Sequence, residues 1–433
     1  MLELLNLLCS FAVDHNFADQ AFIVGGAVRD LILGRPIKDA DVVIPGDAVT
    51  IGRSFAETTS SSFVLLDKDF GITRVVKAGE YTDISAMRGS SIFEDLSERD
   101  LTINAMAIPL CKIQGSGISS SPIEQSVVDP FGGRNDLRYG IIRMVSEDNI
   151  IKDPLRLLRI FRFAAELTFT IEVKTAFVVK SNASLISHPA AERIAEELRK
   201  IMQSGSSYSI IKEMEKSGLL FQLFPELSEY PADVWRQVEH SYGYIEHILH
   251  NLPLYFPSGS APIENYISTG SRIFCLKIAA LFGNEEIAEK ISHRLRLSRR
   301  ESDFITMLTP NRALPHLTKP QIIRMLRDFG DDIYALLIHA LATEHVCQLS
   351  GSSLLSITRD IVSMYQDEFA KRRVRLPLIT GDDLMNELGL QPSPMFKQIL
   401  SQVELFILEG RINSRAEALD EAKRIFLENK IAG

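Results

Sequence analysis

Apolar residues follow one rhythm in the first third of the chain and another thereafter. The runs "AFIV", "SSFVLL", "ITRVVKA", "YTDISAM" and "GIIRMV" are short and rich in β-branched or alternating apolar residues. A period of two in such short stretches predicts strands. Between them, "AVRDLIL" and "LTINAMAI" predict helices, so residues 1–148 are expected to form an α+β domain. From Asn149 onward the period lengthens. "DPLRLLRIFRFAAEL", "AAERIAEELRKIMQ", "YSIIKEMEKSGLLFQLF" and "CLKIAALFGNEEIAEKISHRL" space their apolar residues for helices, as does the closing "EALDEAKRIFLEN". "PSGSAPIEN" and "RVRLPLITGDD", with their Gly, Pro and Ser, predict joints. The expected divisions are a head over 1–148, a helical neck over 149–228, a helical body over 229–372 and a helical tail over 373–433.

Composition narrows this picture little. At 433 residues the chain is long enough for about two to four domains. No apolar run approaches the length that spans a bilayer. The leading "MLELLNLLCSFAVDHNF" carries Glu3 and no basic start, which predicts an amphipathic helix rather than a secretory leader. Cys9, Cys111, Cys275 and Cys347 lie far apart, without metal or disulfide spacing, so a cytosolic compartment is expected. A net charge of −9 gives no general pull toward nucleic acid. Two local basic clusters, His293–Arg300 and Lys371–Arg375, are either contacts for an anionic polymer or solvated helix faces.

Chemistry enters with "FIVGGAVRDLILGRPIKDADVVIPGD", Phe22 to Asp47. Gly25 and Gly26 would end a strand and let a ligand approach the backbone, ahead of a helix whose first amides favour phosphate. A plain turn also uses such glycines, and a dinucleotide fold would need a third, spaced glycine that is missing. In "DADVVI", alternation puts Asp39 and Asp41 on one face and leaves Val42 and Ile44 for the core. Two carboxylates that close repel unless a cation joins them, and Mg²⁺ takes a few carboxylates plus phosphate oxygens. Asp83, in another β-like run, is a candidate third carboxylate.

These residues carry a resemblance. "GGAVRDLILGRPIKDADVVI" resembles the first signature of the class II tRNA nucleotidyltransferase and bacterial poly(A) polymerase family, among the polymerase-β-like nucleotidyltransferases. "ERDLTINAMAI", "VVDPFGGRNDLRYGIIRMV", "DPLRLLRIFRFAAEL", "AAERIAEELRKIM", "SGLLFQLFPEL" and "PLITGDDLM" extend it over nearly the whole chain. The resemblance implies a polymerase-β-like head on a mixed sheet, followed by an all-α neck, body and tail. It implies Mg²⁺ as cofactor, held by Asp39 and Asp41 with help from Asp83, and a triphosphate held by Gly25, Gly26 and Arg29, with Asp30 also among the nucleotide-binding residues. Arg99, Asp100 and Asn104 would meet the nucleotide, Asp100 through ribose hydroxyls. Asp153 and Arg156 would pair with the base edge, while Arg159 and Arg162 would meet the triphosphate or brace Arg156. Pro154 suits a first helical position, which predicts Asp153 as the N-cap.

The substrates implied are the 3′ acceptor end of tRNA with CTP and ATP; no membrane or protein partner is implied. Three departures stand out. Glu98 replaces a family arginine, Lys152 replaces a family acid, and only "SSIFEDLS" fills a segment that is longer in full CCA-adding members. The short segment predicts C addition without the final A. "VEHSYGYIEHIL" and "LKIAALFGNEE" resemble an HD-type domain whose His-Asp doublet is replaced by Gly283 and Asn284. His240 and His247 are then expected to be packing or surface residues, without phosphohydrolase activity. Poly(A) polymerase and a catalytically silent RNA-binding protein are the rival readings.

Overall fold

The computed structural model describes all residues except 1, 38–39, 69–70, 113–125, 283, 310–316, 348–352, 374–375 and 433. The chain divides into two units, Met1–Pro225 and Glu226–Gly433.

The first unit begins with helix α1 (Leu2–Asp14) and then alternates strands and helices: β1 (Phe22–Val24), α2 (Gly26–Ile32), β2 (Ala40–Ile44), α3 (Ala48–Thr58), β3 (Ser62–Asp67), β4 (Ile72–Lys77) and β5 (Glu80–Ala86). Helix α4 (Ile92–Ser97), strand β6 (Ala107–Pro109), helix α5 (Gly133–Tyr139) and the short strand β7 (Ile141–Ile142) follow. The sheet order is β3-β4-β5-β2-β1-β6, and it is mixed: β2 and β5 run parallel, every other pair antiparallel.

Period-two alternation sorts its two faces. Ile23, Ala40, Val42, Ile44, Thr73, Val75, Thr82 and Ile84 are all buried. Helix α3 covers this face, and its Gly52 is required by contact: a Cβ there would lie 2.6 Å from Thr73 Oγ1. Gly52→Ala is therefore expected to lower unfolding free energy by about 1–3 kcal/mol, read from urea denaturation, with the midpoint shifted at constant slope. The opposite face is covered only in part. Val24, Val43, Ala105 and Ala107 pack there against Ile92 and Leu96 of α4, and the rest lies open beside Asp41, Arg74, Asp83 and Ser85.

Helices continue the first unit: α6 (Glu147–Lys152), α7 (Arg156–Leu167), then the strand β8 (Thr170–Ile171), α8 (Val173–Ser181), α9 (Ala191–Gln203), α10 (Ser207–Lys216) and α11 (Leu219–Leu223). Strand β8 pairs with β7 in parallel, which fastens the helical part to the end of the head. The second unit is helical among its described residues, from Ala232–His250 to Arg415–Ala432. Its last helices enclose their own core of Ile379, Leu384, Ile399, Val403, Ile407 and Ile425.

Two expectations need correcting. "LTINAMAI" is not a helix but a 3-10 turn, Thr102–Asn104, followed by β6, because Ala107–Pro109 find ladder partners along β1. "PSGSAPIEN" is not an open joint, since Ser260–Ile267 is helical with Ile263 buried. Pro262 falls within the first turn, where a missing N–H costs nothing.

Candidate active site

One row of the sheet brings two of the predicted carboxylates, Asp41 and Asp83, together. Val24 is the register partner of Asp41, Asp41 of Asp83 across the parallel pair, and Asp83 of Arg74. In-register neighbours share a face, and here it is the open one. Asp41 is exposed while Val42 and Ile44 are buried on the other side. Asp39 lies outside the described residues. Gly25 adopts φ +72°, and a Cβ on it would sit 3.0 Å from Arg99 Nη1 and 3.6 Å from Asp41 Oδ2. The turn after β1 thus holds bare backbone between a guanidinium and a carboxylate, a place only glycine fills without strain.

Asp83 is differently employed. Arg74 donates to it through Nε and Nη2 at 2.7 and 2.8 Å, and the same guanidinium lies 4.0 Å from the centre of the Tyr81 ring. Such a fork fixes the carboxylate's orientation.

Arg29 turns inward. Its Nε and Nη2 donate to Asp30 at 2.9 and 3.1 Å, and its Nη1 donates to Asn104 Oδ1 at 2.9 Å. Asn104 Nδ2 donates onward to Asp100 at 3.3 Å. Asp100 also accepts from the Leu101 amide at 2.8 Å and from Arg159 at 2.6 and 2.7 Å. Burial alone would raise the Asp100 pKa, but the Arg159 charge and these hydrogen bonds hold it below the usual carboxylate range. Arg29 and Asp30 therefore brace the helical end of α2 against the Asn104 turn and α7. Arg29, Arg159 and Arg162 all lie within 4.2–5.4 Å of the Phe163 ring centre.

Beside this network lies a cavity of about 250 Å³, reached from the open face at Ser85 and lined by Arg88, Asp95, Arg99, Asp100, Asp153, Arg156, Arg159 and Arg193. Arg156 Nη2 donates to the Glu98 carbonyl at 2.9 Å, while its buried Nη1 has no hydrogen-bond partner. Burial lowers its pKa, against the pull of Asp100 and Asp153. A buried donor left open is costly unless a ligand satisfies it. Asp153 stands 3.9 Å from Arg156 and 3.6 Å from Arg193, so the cavity end offers a carboxylate and a spare guanidinium N–H side by side.

The predicted cap is corrected here. Leu155, not Asp153, precedes the first residue of α7, and Asp153 closes α6 instead. The Arg156 amide bonds to the Asp153 carbonyl, which makes a turn of residues 153–156 and frees the Asp153 side chain for the cavity. Arg162 does not join the cavity lining; it is buried and donates to Glu197 of α9 at 3.0 Å. Sequence reading missed Arg74, Arg88, Asp95 and Arg193. Arg193 lay within the already matched "AAERIAEELRKIM", but nothing local to the others marks them.

The short segment before Glu98 is α4. Ser91 caps it by accepting from the Glu94 amide at 3.3 Å, and Leu96 is fully buried. Asp95 accepts from the Arg88 amide at 3.1 Å and from Arg99 at 3.0 and 3.2 Å. In the second unit His240 and His247 are exposed. Asn284 caps the helix Glu285–Arg294 through the Ile287 amide, and Gly283 lies outside the described residues. Of the two basic clusters, Arg294 is paired with Glu226, and Arg372 and Arg373 bond to Leu408 and Tyr365. Arg299 is almost wholly exposed. Among the described residues no three His, Cys, Asp or Glu side chains form a ready metal cluster, and no helix is long and apolar enough to cross a membrane.

Three known families match the chain. Residues 21–143 match the Poly A polymerase head domain, 168–230 the "Probable RNA and SrmB-binding site of polymerase A", and 277–422 tRNA nucleotidyltransferase domain 2. A CC-adding tRNA nucleotidyltransferase of Synechocystis sp. is 30% identical over 413 residues, covering 94% of each chain. An A-adding tRNA nucleotidyltransferase of Halalkalibacterium halodurans is 27% identical, covering 94% of this chain and 88% of its own. The fold is shared with a Thermotoga maritima CCA-adding enzyme solved with tRNA, at a TM-score of 0.67 and 24% identity, over 98% of this chain and 94% of that one. Head sheet, helical continuation and near full-length kinship agree: the chain belongs to the tRNA nucleotidyltransferase family.

Proposed function

We propose that the protein adds cytidine to the 3′ end of tRNA, using CTP, and stops before the terminal adenosine. The tRNA 3′-hydroxyl attacks the α-phosphate, its proton is lost, and pyrophosphate leaves. Asp41 is the exposed carboxylate beside the bare Gly25 backbone, so it would hold the divalent cation, Mg²⁺, with Asp39 as the second carboxylate that the sequence offers. The donor set fits: Asp41 offers hard carboxylate oxygens in one register row with Asp83, which Arg74 keeps in place. When bound, such an ion lowers the pKa of the attacking hydroxyl and neutralises charge on the leaving phosphates.

The chain's own residues do the rest. Gly25 and Gly26 give the triphosphate room at the backbone, with Arg99 beside it. Asp153 accepts from the exocyclic amine of the base, and Arg156 Nη1 donates to a ring acceptor. Asp100, Asn104 and Arg159 form the floor behind the sugar, where Asp100 Oδ atoms already carry three partners. Arg29, Asp30 and Arg162 position these groups from behind. The neck, body and tail (149–228, 229–372, 373–433) would hold the tRNA by shape and phosphate contact, and such substrates fit the cytoplasmic compartment expected from the sequence.

The observation that carries C-only addition is α4. A capped helix with a buried Leu96 and with Asp95 tied to Arg88 and Arg99 leaves no free length for a mobile loop. The test is incorporation on tRNAs ending before the first C, after CC and after CCA, with CTP and ATP supplied separately. Two CTP-dependent additions to the shortest substrate are expected, with no ATP-dependent addition to the CC-ended one. Efficient A addition after CC would refute C-only specificity, and a long homopolymer tail on any RNA would indicate a poly(A) polymerase.

A further inference from the structure

The two charge departures of the sequence meet in space. Lys152 Nζ lies 3.1 Å from each carboxylate oxygen of Glu98, although 54 positions separate them. Glu98 follows α4 and Lys152 ends α6. Around this pair, α6 and α7 grip three consecutive carbonyls of the same short segment. Asn149 Nδ2 donates to Ser97 at 2.6 Å and to Arg99 at 2.8 Å, and Arg156 Nη2 donates to Glu98 at 2.9 Å. The Glu98 peptide is thus the surface against which Arg156 is aimed, and the Glu98 side chain is fastened to the residue next to Asp153.

We infer that Glu98 and Lys152 are a positioning pair that fixes the segment 97–99 against α6 and so sets the direction in which Arg156 and Asp153 present themselves to the base. In this chain the two departing residues carry opposite charges and attract one another. Neither departure then loosens nucleotide choice. The inference rests on the reading that Asp153 and Arg156 contact the base. Both members of the pair are exposed, at 42% and 60%, so the pair adds little to global stability. Its effect belongs to local alignment, where Asn149 and Arg156 have already paid the ordering entropy of the backbone.

The test is a cycle of charge reversals: Glu98→Lys, Lys152→Glu and the two together. Each single reversal sets like charges against one another beside Arg156. Each is expected to raise KM for CTP and to weaken discrimination against UTP by about tenfold, with kcat within about twofold. The double reversal is expected to recover most of the loss, and the thermal midpoint to stay constant throughout. High salt should shrink the single-variant effect, because an exposed pair is screened. Unchanged discrimination in the single variants, or a double variant as poor as the product of the singles, overturns the proposal. Arg156→Lys separates the two layers of argument. If it leaves discrimination intact, base reading by Arg156 is wrong. If it relaxes discrimination while the reversals do not, only the positioning pair is wrong.

Discussion

Asp41→Asn is expected to reduce CTP incorporation by about a thousandfold or more, with the thermal midpoint unchanged, because it removes an exposed metal-ligand charge. The burial pattern makes the two readouts separable: Asp41 faces the open side while Val42 and Ile44 carry the packing. Single-turnover incorporation with excess enzyme measures the chemical step free of product release. Asp83→Asn is a useful contrast, since it also breaks the charged fork with Arg74, and there stability should fall along with activity. Retention of more than a tenth of the rate in Asp41→Asn would remove this carboxylate from the chemistry.

Arg159→Met is expected to cost about 3 kcal/mol of stability at neutral pH, because it leaves the buried Asp100 carboxylate without its main counter-charge. The pH dependence should change sign as well. In the native protein the folded pKa of Asp100 is held below its unfolded value. The stability it contributes is therefore present above the unfolded pKa and lost as pH falls through the folded one. Without Arg159, burial is the dominant remaining influence and raises the folded pKa above the unfolded one. The penalty then grows as pH rises from the unfolded pKa through the raised folded pKa, so the variant should gain relative stability on acidification toward pH 4. Urea midpoints of both proteins between pH 4 and 7 check this. Parallel curves would show that the Leu101 and Asn104 hydrogen bonds suffice to keep Asp100 ionised.

The head was legible where a local period sufficed. Alternation in "DADVVI" correctly turned Asp41 away from Val42 and Ile44, and the strands of "ITRVVKA" and "YTDISAM" lie where their periodicity places them. The reading failed where a partner far along the chain decided the outcome. "LTINAMAI" has helical spacing, yet its second half is claimed by β1. Asp153 has the credentials of an N-cap, yet its carbonyl closes a turn that starts the helix at Arg156. The resemblance assigns Arg29 to the triphosphate, and nothing in its local spacing tells that it donates to Asp30 and to the distant Asn104. Within the site, Asp153, Arg156 and Arg99 were nameable from motif alone. Arg74 and the Glu98–Lys152 contact were not, because a side chain's partner across a sheet or between helices leaves no trace in local spacing.

The parallel pairing of β2 with β5 also has a consequence for biogenesis. A hairpin could join neighbouring strands soon after synthesis, but Asp41 meets Asp83 only after β3 and β4 have been made and folded back. The cavity wall waits longer still, for α7 and Arg193. While the ribosome is still working through that stretch, the acidic strand has no mate on one side and the nascent chain can hold no nucleotide. Non-local closure of this kind slows folding and exposes edges. Arrested nascent chains ending shortly after β2 should accordingly be the species that chaperones engage, and activity should appear abruptly only once α7 and α9 have emerged.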